Sequence, residues 1–489
     1  MRLPNLLGNG SRALQGFVTG TGLKARVMRG SAMMGFGSVV EHAIRFLRNL
    51  ILTRILLPEA LGTMAIILAI NAALESFTEV GVREAVIQNP KGEHPAFLNA
   101  AWWFATARGA LLCTVGLALA WPLAHFYRIS EARTMLMISF TAILCNGAIS
   151  SRAYIALKHL EYGRWVVIMV GSALGGIGVT LVLLWQLGDI RALVYGYVCE
   201  SLLKLILSFL LCPFRPSLTF RAQQTRELLR FARGMAGVPF LTFVFLSADI
   251  FVLGKVVDKG SLGLYGVAAS LASAPTVLIS IFINPILMPV IAHIRQQPSR
   301  INGVLLTITR TMAMTGSLLC AWVALFASDI MRIVYGPAYA AVGFVLAILL
   351  FSAFIRTLAS PIPAIYLGLG EPSLNRVFAA LRTGVLVILI YPAAIRFGLA
   401  GVAWAGVISM TIAWVFQIRQ LSALTQLDIR EYSRSLGIGF ASGAIIWVGA
   451  VCVRMIYPGS LPAFCAASFL TAAVAMLAGP RLVRELRHA

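Results

Sequence analysis

Charged side chains set inside apolar sequence are the residues here whose type and spacing could do chemistry. Glu41, Arg45 and Arg48 fall in one apolar run at spacings of four and three, which puts them on one helical face. In the next run Glu75, Glu79 and Arg83 recur at i, i+4 and i+8, again on one face. Arg108, Arg152, Glu200 with Lys204, Asp249, Arg310, Arg356 and Arg382 follow. A charge inside a bilayer is costly, usually faces the bundle interior, and marks either an ion pair or a route for substrate or ion. The spacing leaves open that Glu41 pairs with Arg45, Glu75 with Arg83 and Glu200 with Lys204. Arg310 and Arg382 stand near the ends of their runs and are expected to snorkel to the interface. The set as a whole holds more cations than carboxylates, so a cationic cavity for an anionic substrate is expected. Its candidates are Arg45, Arg48, Arg108, Arg152, Lys204 and Arg356. Glu41, Glu75, Glu79, Glu200 and Asp249 are candidates for ion coupling or for structural pairing.

Other chemistries find little support. The chain has no G-x-x-x-x-G-K-[ST] loop and no H-E-x-x-H, and its six His have no metal-ligand spacing. Its seven Cys are scattered singly in apolar sequence, as buried hydrophobes are. No cofactor or metal is expected. The loops predicted on the outer side are too short to form a catalytic domain, so the sequence reads as that of a non-enzyme.

The elements that must position these charges are membrane helices. Of 489 residues 59% are hydrophobic and 12% charged, against about 45–50% and 25% in soluble domains. Runs of about 20 apolar residues are needed to cross about 30 Å of hydrocarbon, and about fourteen are present. They fall near 31–57, 60–88, 97–126, 130–158, 162–187, 190–213, 230–257, 260–293, 303–327, 338–368, 373–396, 399–422, 432–457 and 461–479. They are too long for barrel strands, so the expected fold is an all-α integral membrane protein.

The net charge of +22, from 40 Lys and Arg against 18 Asp and Glu, punctuates the apolar runs rather than gathering in a polar domain. That pattern suits loops facing anionic lipid and argues against nucleic acid. Lys and Arg concentrate on the side that carries both ends, with Arg215, Arg221, Arg226, Arg230 and Arg233 in the 214–233 segment. Both termini are therefore expected in the cytoplasm.

Two echoes suggest an internal repeat. Arg54-Ile-Leu-Leu-Pro-Glu-Ala-Leu-Gly62 matches Lys255-Val-Val-Asp-Lys-Gly-Ser-Leu-Gly263 in its basic residue, turn and Leu-Gly. Gly188 and Gly196 bracket a segment as Gly398 and Gly406 do further on. Six spans per repeat keep one orientation, so two parallel-repeat six-helix lobes around a central cavity are expected, with two further C-terminal helices. The expected organisation is a basic tail over 1–30, an N-lobe over 31–213, a linker over 214–229, a C-lobe over 230–422, a last helix pair over 432–479 and a basic tail over 480–489.

Several fragments in order resemble a known family. Arg54 to Gly62 is similar to an R-x-L-x-P-x-x-x-G turn, Glu79-Val-Gly-Val82 to D-x-G-[LV] with Glu for Asp, and Leu229-Arg-Phe231 to L-x-[RK]-F. Asp249 to Gly254 followed by Leu262-Gly-Leu-Tyr265, then Ile333-Val-Tyr-Gly336 and Phe397 to Trp404, continue the pattern. The chain thus resembles the polysaccharide-type (Wzx-like) lipid-linked oligosaccharide flippases of the multidrug/oligosaccharidyl-lipid/polysaccharide exporter superfamily, to which the peptidoglycan-precursor flippase is related.

The resemblance implies translocation of an undecaprenyl-diphosphate-linked oligosaccharide, an O-antigen or exopolysaccharide repeat unit, from the inner to the outer leaflet by alternating access. Implied partners are that substrate, membrane lipid, and the polysaccharide polymerase and assembly proteins. A multidrug or cation antiporter of the same superfamily and a membrane enzyme of polysaccharide assembly are the alternatives. The first would favour an acidic cavity and the second a sizeable outer domain.

Overall fold

The computed structural model describes residues 23–77, 81–217, 238–294 and 297–456. Glu79, Leu229–Phe231, most of the predicted linker, the predicted span over 461–479 and the C-terminal tail lie outside the described residues. Among the described residues every regular element is a helix and no strand occurs. The helices are α1 (Leu23–Ile55), α2 (Pro58–Phe77), α3 (Val82–Gln88), α4 (Pro95–Phe126), α5 (Arg133–Ser139), α6 (Thr141–Gly147), α7 (Arg152–Lys158), α8 (Tyr162–Leu187) and α9 (Ile190–Leu211). They continue as α10 (Val238–Val256), α11 (Lys259–Ile294), α12 (Pro298–Tyr335), α13 (Gly343–Ala359), α14 (Pro361–Leu369), α15 (Pro372–Thr425) and α16 (Ile429–Ile456).

Seven helices among the described residues are long and apolar enough to cross a membrane, and an eighth if a bent pair counts as one span. Helices α1, α10, α11 and α16 stand where the sequence places spans 1, 7, 8 and 13. The fold is that of an all-α integral membrane protein.

Three predicted runs differ in detail. Helix α1 starts at Leu23, inside the predicted tail. The run over 60–88 is two helices, because Gly81 at φ 58° cannot continue an α-helix into Val82. The run over 130–158 bends by 58° between Gly147 and Arg152. That break is held by α9, where Ser208 Oγ accepts from Ser150 N at 3.0 Å and the Cys212 carbonyl accepts from Ser150 Oγ at 2.7 Å. Backbone groups freed from a helix in lipid need such partners.

The chain forms two compact units, Met1–Ile51 with Ile67–Phe240, and Leu52–Ile66 with Leu241–Ala489. In the first unit small residues bring helices close. Gly37 faces Val166, and Gly30 faces Tyr162, seating α1 on α8. Gly176 faces the Cβ of Glu200, and Gly196 faces Thr180, so α8 and α9 pack at short range. This approach sets where Glu200 stands.

In the second unit Thr276 Oγ1 donates to the Ala353 carbonyl at 3.1 Å, and Thr357 Oγ1 donates to Thr276 Oγ1 at 3.1 Å, fixing α13 on α11. Thr383 Oγ1 donates to the Leu241 carbonyl at 3.0 Å and ties α15 to α10. The two copies of the first sequence echo meet here. A Cβ on Gly62 would drive into the Lys259 carbonyl and lie 2.9 Å from Gly263 N. A Cβ on Gly263 would drive into the Pro58 carbonyl and lie 3.0 Å from Gly62 N. The first turns of α2 and α11 therefore cross backbone on backbone, glycine against glycine. Arg54 Nη2 secures the same corner by donating to the Ile333 and Val334 carbonyls. The second echo is structural too, since Gly188 between α8 and α9 and Gly398 within α15 take φ 66° and 57°. Gly398 is where α15 breaks, at the boundary predicted between 396 and 399.

Helix α11 is capped by Asp258. Its Oδ2 accepts from Ser261 N and its Oδ1 from Ser261 Oγ, both at 2.7 Å, and these bonds hold the carboxyl below its ordinary 3.8. The sign follows from the depressed value: the cap stabilises above about pH 4 and is lost as pH falls through the lowered folded value. Asp258→Ala is expected to cost about 0.5–2 kcal/mol at neutral pH, read as a lower unfolding midpoint, with wild type and variant converging in acid.

Candidate functional site

Charged and polar side chains of the first unit converge from α1, α2, α6 and α9. Arg45 donates to Glu41 Oε1 from Nε at 3.1 Å and from Nη2 at 3.0 Å, and Nη2 also reaches Glu200 Oε1 at 2.6 Å. Arg48, one turn on, places Nη1 3.8 Å from Glu200 Oε2. Lys204, one turn past Glu200 on α9, interacts electrostatically with Glu41, Glu200 and Glu75 and is repelled by Arg45. Asn146 of α6 donates to Glu75 Oε1 at 3.4 Å. Tyr197 stands within reach of Glu75, Glu200 and Arg45.

Three cations face three carboxylates, so this cluster is balanced rather than cationic. What it presents is another matter. The Arg45 side chain is 40% exposed, whereas Glu41 and Glu200 are 12% and 14% exposed. The carboxylates lie behind and a guanidinium lies in front. Arg48 makes no hydrogen bond among the described residues, and its Nε is buried without a partner. A guanidinium carries five N–H donors in a fork that matches phosphate or carboxylate. The arrangement can receive an anion without moving its supporting carboxylates.

A smaller set lies in the second unit. Asp249 of α10 accepts from Tyr265 Oη at 3.0 Å, and Arg356 of α13 interacts with it electrostatically. Arg356 makes no hydrogen bond among the described residues, and its Nε is buried. Arg382 of α15 stacks over Phe245 at 4.4 Å and donates to Thr242 Oγ1 at 3.3 Å. It also lies within electrostatic reach of Arg356. Asp249 thus faces Arg356, while Arg382 stands beside Arg356 among aromatic rings.

The sequence reading is corrected at several residues. Arg382, expected to snorkel, is instead held over the rings of Phe245 at 4.4 Å and Phe378 at 5.4 Å. Arg83 pairs with its neighbour Glu84 at 3.1 Å and not with Glu75. Glu200 takes Arg45 and Arg48. Arg108 shares the surroundings of Tyr154 with Arg83 and Glu84. Arg152 is exposed and donates to the Pro213 carbonyl at 3.1 Å. Neither is described within the Arg45–Glu200 cluster. Asn146, Tyr197 and the stacked Arg382 escaped sequence reasoning; a polar residue at an apolar helix position was the available signal for Asn146.

Comparison with known proteins gives the context. A succinoglycan biosynthesis transport protein, ExoT of Rhizobium meliloti (strain 1021), is 23% identical over 343 residues, 69% of this chain and 68% of that protein. The lipopolysaccharide biosynthesis protein WzxC of Escherichia coli (strain K12) is 19% identical over 398 residues, 80% of this chain and 78% of that protein. Among solved structures, the lipid II flippase MurJ in an inward closed conformation matches with a TM-score of 0.71 at 14% identity, covering 90% of this chain and 97% of that one. An inward-facing multidrug resistance MATE family transporter matches with a TM-score of 0.62 at 14% identity, covering 79% and 96%. These two likenesses establish a shared membrane-transporter fold. The family described as polysaccharide biosynthesis protein matches residues 51–343, more than half of the chain. With that match, the chain belongs to the polysaccharide biosynthesis protein family, and its fold is that of a multi-pass helical membrane protein.

Proposed function

We propose that the chain is a flippase that moves an undecaprenyl-diphosphate-linked oligosaccharide, an O-antigen or exopolysaccharide repeat unit, from the inner to the outer leaflet by alternating access. The observation that carries this reading is Arg48, a mostly buried guanidinium with no hydrogen bond among the described residues, beside an Arg45 held forward by two carboxylates. A diphosphate leaving water needs replacement donors, and paired arginine forks supply them. Lys204 adds a point charge to the same group, and Arg356 with Arg382 offers a further cationic surface in the second unit. The polyprenyl tail can stay in lipid while the polar part crosses.

Both termini lie in the cytoplasm of the inner membrane in this reading, and the protein acts as a transporter rather than an enzyme. Outward movement of an anion from a negative cytoplasm is downhill by about 2.3 kcal/mol per charge per 100 mV. Glu41 and Glu200 serve to hold the arginines, and Glu75 and Asp249 are the described carboxylates proposed for any ion coupling. The polymerase and assembly proteins of the same polysaccharide are the proposed partners. In cells that depend on this chain, Arg45→Gln with Arg48→Gln is expected to abolish surface polysaccharide while the protein remains in the membrane. Normal polymer from that double variant would remove the arginines from the mechanism.

A further inference from the structure

A groove of about 480 Å³ runs along the first unit, lined by Trp102, Ala148, Leu205, Ile206, Phe209 and Leu210. Each of these is apolar at the groove surface; the one side-chain donor, Trp102 Nε1, is turned away to the Ala148 carbonyl at 2.9 Å. Its volume falls in the range of small-molecule clefts, about 300–1,000 Å³, but it offers a polar ligand nothing to bond. Ile206 and Leu210 are 44% and 68% exposed, on the lipid-facing side of a membrane helix.

One end of this groove is unlike the rest. The two chain segments that flank it, Ala148 onward and Leu210 onward, meet where Arg152 Nη1 donates to the Pro213 carbonyl. Arg152 and Arg164 both reach the surroundings of Cys212, two residues past Leu210, and Glu161 is the acidic group there. Both arginines are exposed. Arg152 spends one of its five donors on Pro213, leaving the fork open to a further acceptor. Trp102 packs edge-on to Trp103 with centroids 5.0 Å apart, and Trp103 Nε1 donates to the Ser217 carbonyl at 2.8 Å. An indole pair with basic residues at a helix end is the composition of a membrane–water boundary.

We infer that this flank of α4, α6 and α9 binds an anionic glycerophospholipid, with an acyl chain in the groove and its phosphate on Arg152 and Arg164. The apolar lining selects a hydrocarbon chain, and the two arginines against one glutamate select a negative headgroup about one helical turn away. Basic pockets between membrane helices recognise anionic lipid in this way. The site is separate from the Arg45–Glu200 cluster and does not depend on the flippase reading. It also gives Arg152 a role outside that cluster.

The test uses the intact chain in phosphatidylcholine bilayers that contain dibrominated phosphatidylglycerol, against bilayers in which the phosphatidylcholine carries the bromine. The fluorescence lost on Trp102→Phe reports the groove. At equal mole fraction, brominated phosphatidylglycerol is expected to quench that component roughly fivefold more strongly, the gain of about one effective cation at the surface. Arg152→Gln with Arg164→Gln should bring the two lipids level. Ile206→Phe, which narrows the groove without adding an indole and leaves both arginines, should reduce quenching by either lipid. Equal quenching in the native chain, or a preference that survives the double arginine variant, would overturn the site. Displacement of the brominated lipid by an equal mole fraction of polyprenyl phosphate would overturn the phospholipid assignment and hand the groove to the polyprenyl lipid.

Discussion

Gly263→Ala is expected to yield little folded protein, and Gly62→Ala the same. Each added methyl would meet a backbone carbonyl of the partner turn, Pro58 for Gly263 and Lys259 for Gly62. Overpacking against movable side chains costs about 1–3 kcal/mol. Here the obstacle is main chain in the first turn of a helix, and the contact is reciprocal, so the cost should exceed that range. Gly266 is the control: it lies one turn further along α11 with nothing within 4 Å of a built Cβ. Gly266→Ala should be neutral or slightly stabilising, by up to about 1 kcal/mol, because alanine favours a helix. Unfolding midpoints and yields in detergent separate the two. If Gly263→Ala behaves as Gly266→Ala does, the crossing is looser than its geometry states.

The second large effect is expected at Glu200. Its carboxylate bonds Arg45 at 2.6 Å and faces Arg48 at 3.8 Å, so Glu200→Gln leaves Arg45 with Glu41 alone and takes from Arg48 the carboxylate that faces it. Removing one partner of a fully buried ion pair costs about 3–5 kcal/mol. Arg45 is partly exposed, which places the expected loss near the low end, about 3 kcal/mol. Transport should fall as well, because Glu41 alone then holds Arg45. Adding Arg48→Gln to Glu200→Gln removes one orphaned charge and should recover part of the stability but none of the transport. A recovery in both would mean that Glu200 and Arg48 only neutralise each other.

Much of this was legible in the sequence. A spacing of four placed Glu41 and Arg45 on one helical face, and the structure bonds them. The echo between Arg54–Gly62 and Lys255–Gly263 marked two turns that turn out to touch. Gly398 marked the helix boundary because its backbone leaves the helical region there. What the sequence concealed were choices decided by distant residues. The run over 130–158 carries Ser150, Ser151 and Arg152, but only Ser208 on α9 and Cys212 just past it show that the helix breaks there. Arg382 near the end of a run resembles any snorkelling arginine until Phe245 and Thr242 are placed beside it. Local spacing also suggested Lys204 for Glu200, where the packing of α1 on α8 and of α8 on α9 delivers Arg45 and Arg48. Net charge misled in one respect, for the excess of cations in the sequence becomes a balanced cluster in the first unit with Arg45 outermost.

The central claim is that the Arg45–Arg48 pair receives the diphosphate of a lipid-linked oligosaccharide. Its most direct test is reconstitution of the purified chain in liposomes, with appearance of a labelled polyprenyl-diphosphate oligosaccharide in the opposite leaflet as the readout. Protein-dependent movement that is lost in Arg48→Gln, with the variant folded and inserted, is the predicted result. Movement at the native rate in Arg45→Gln with Arg48→Gln, or efflux of a cationic dye in place of any lipid movement, would contradict it.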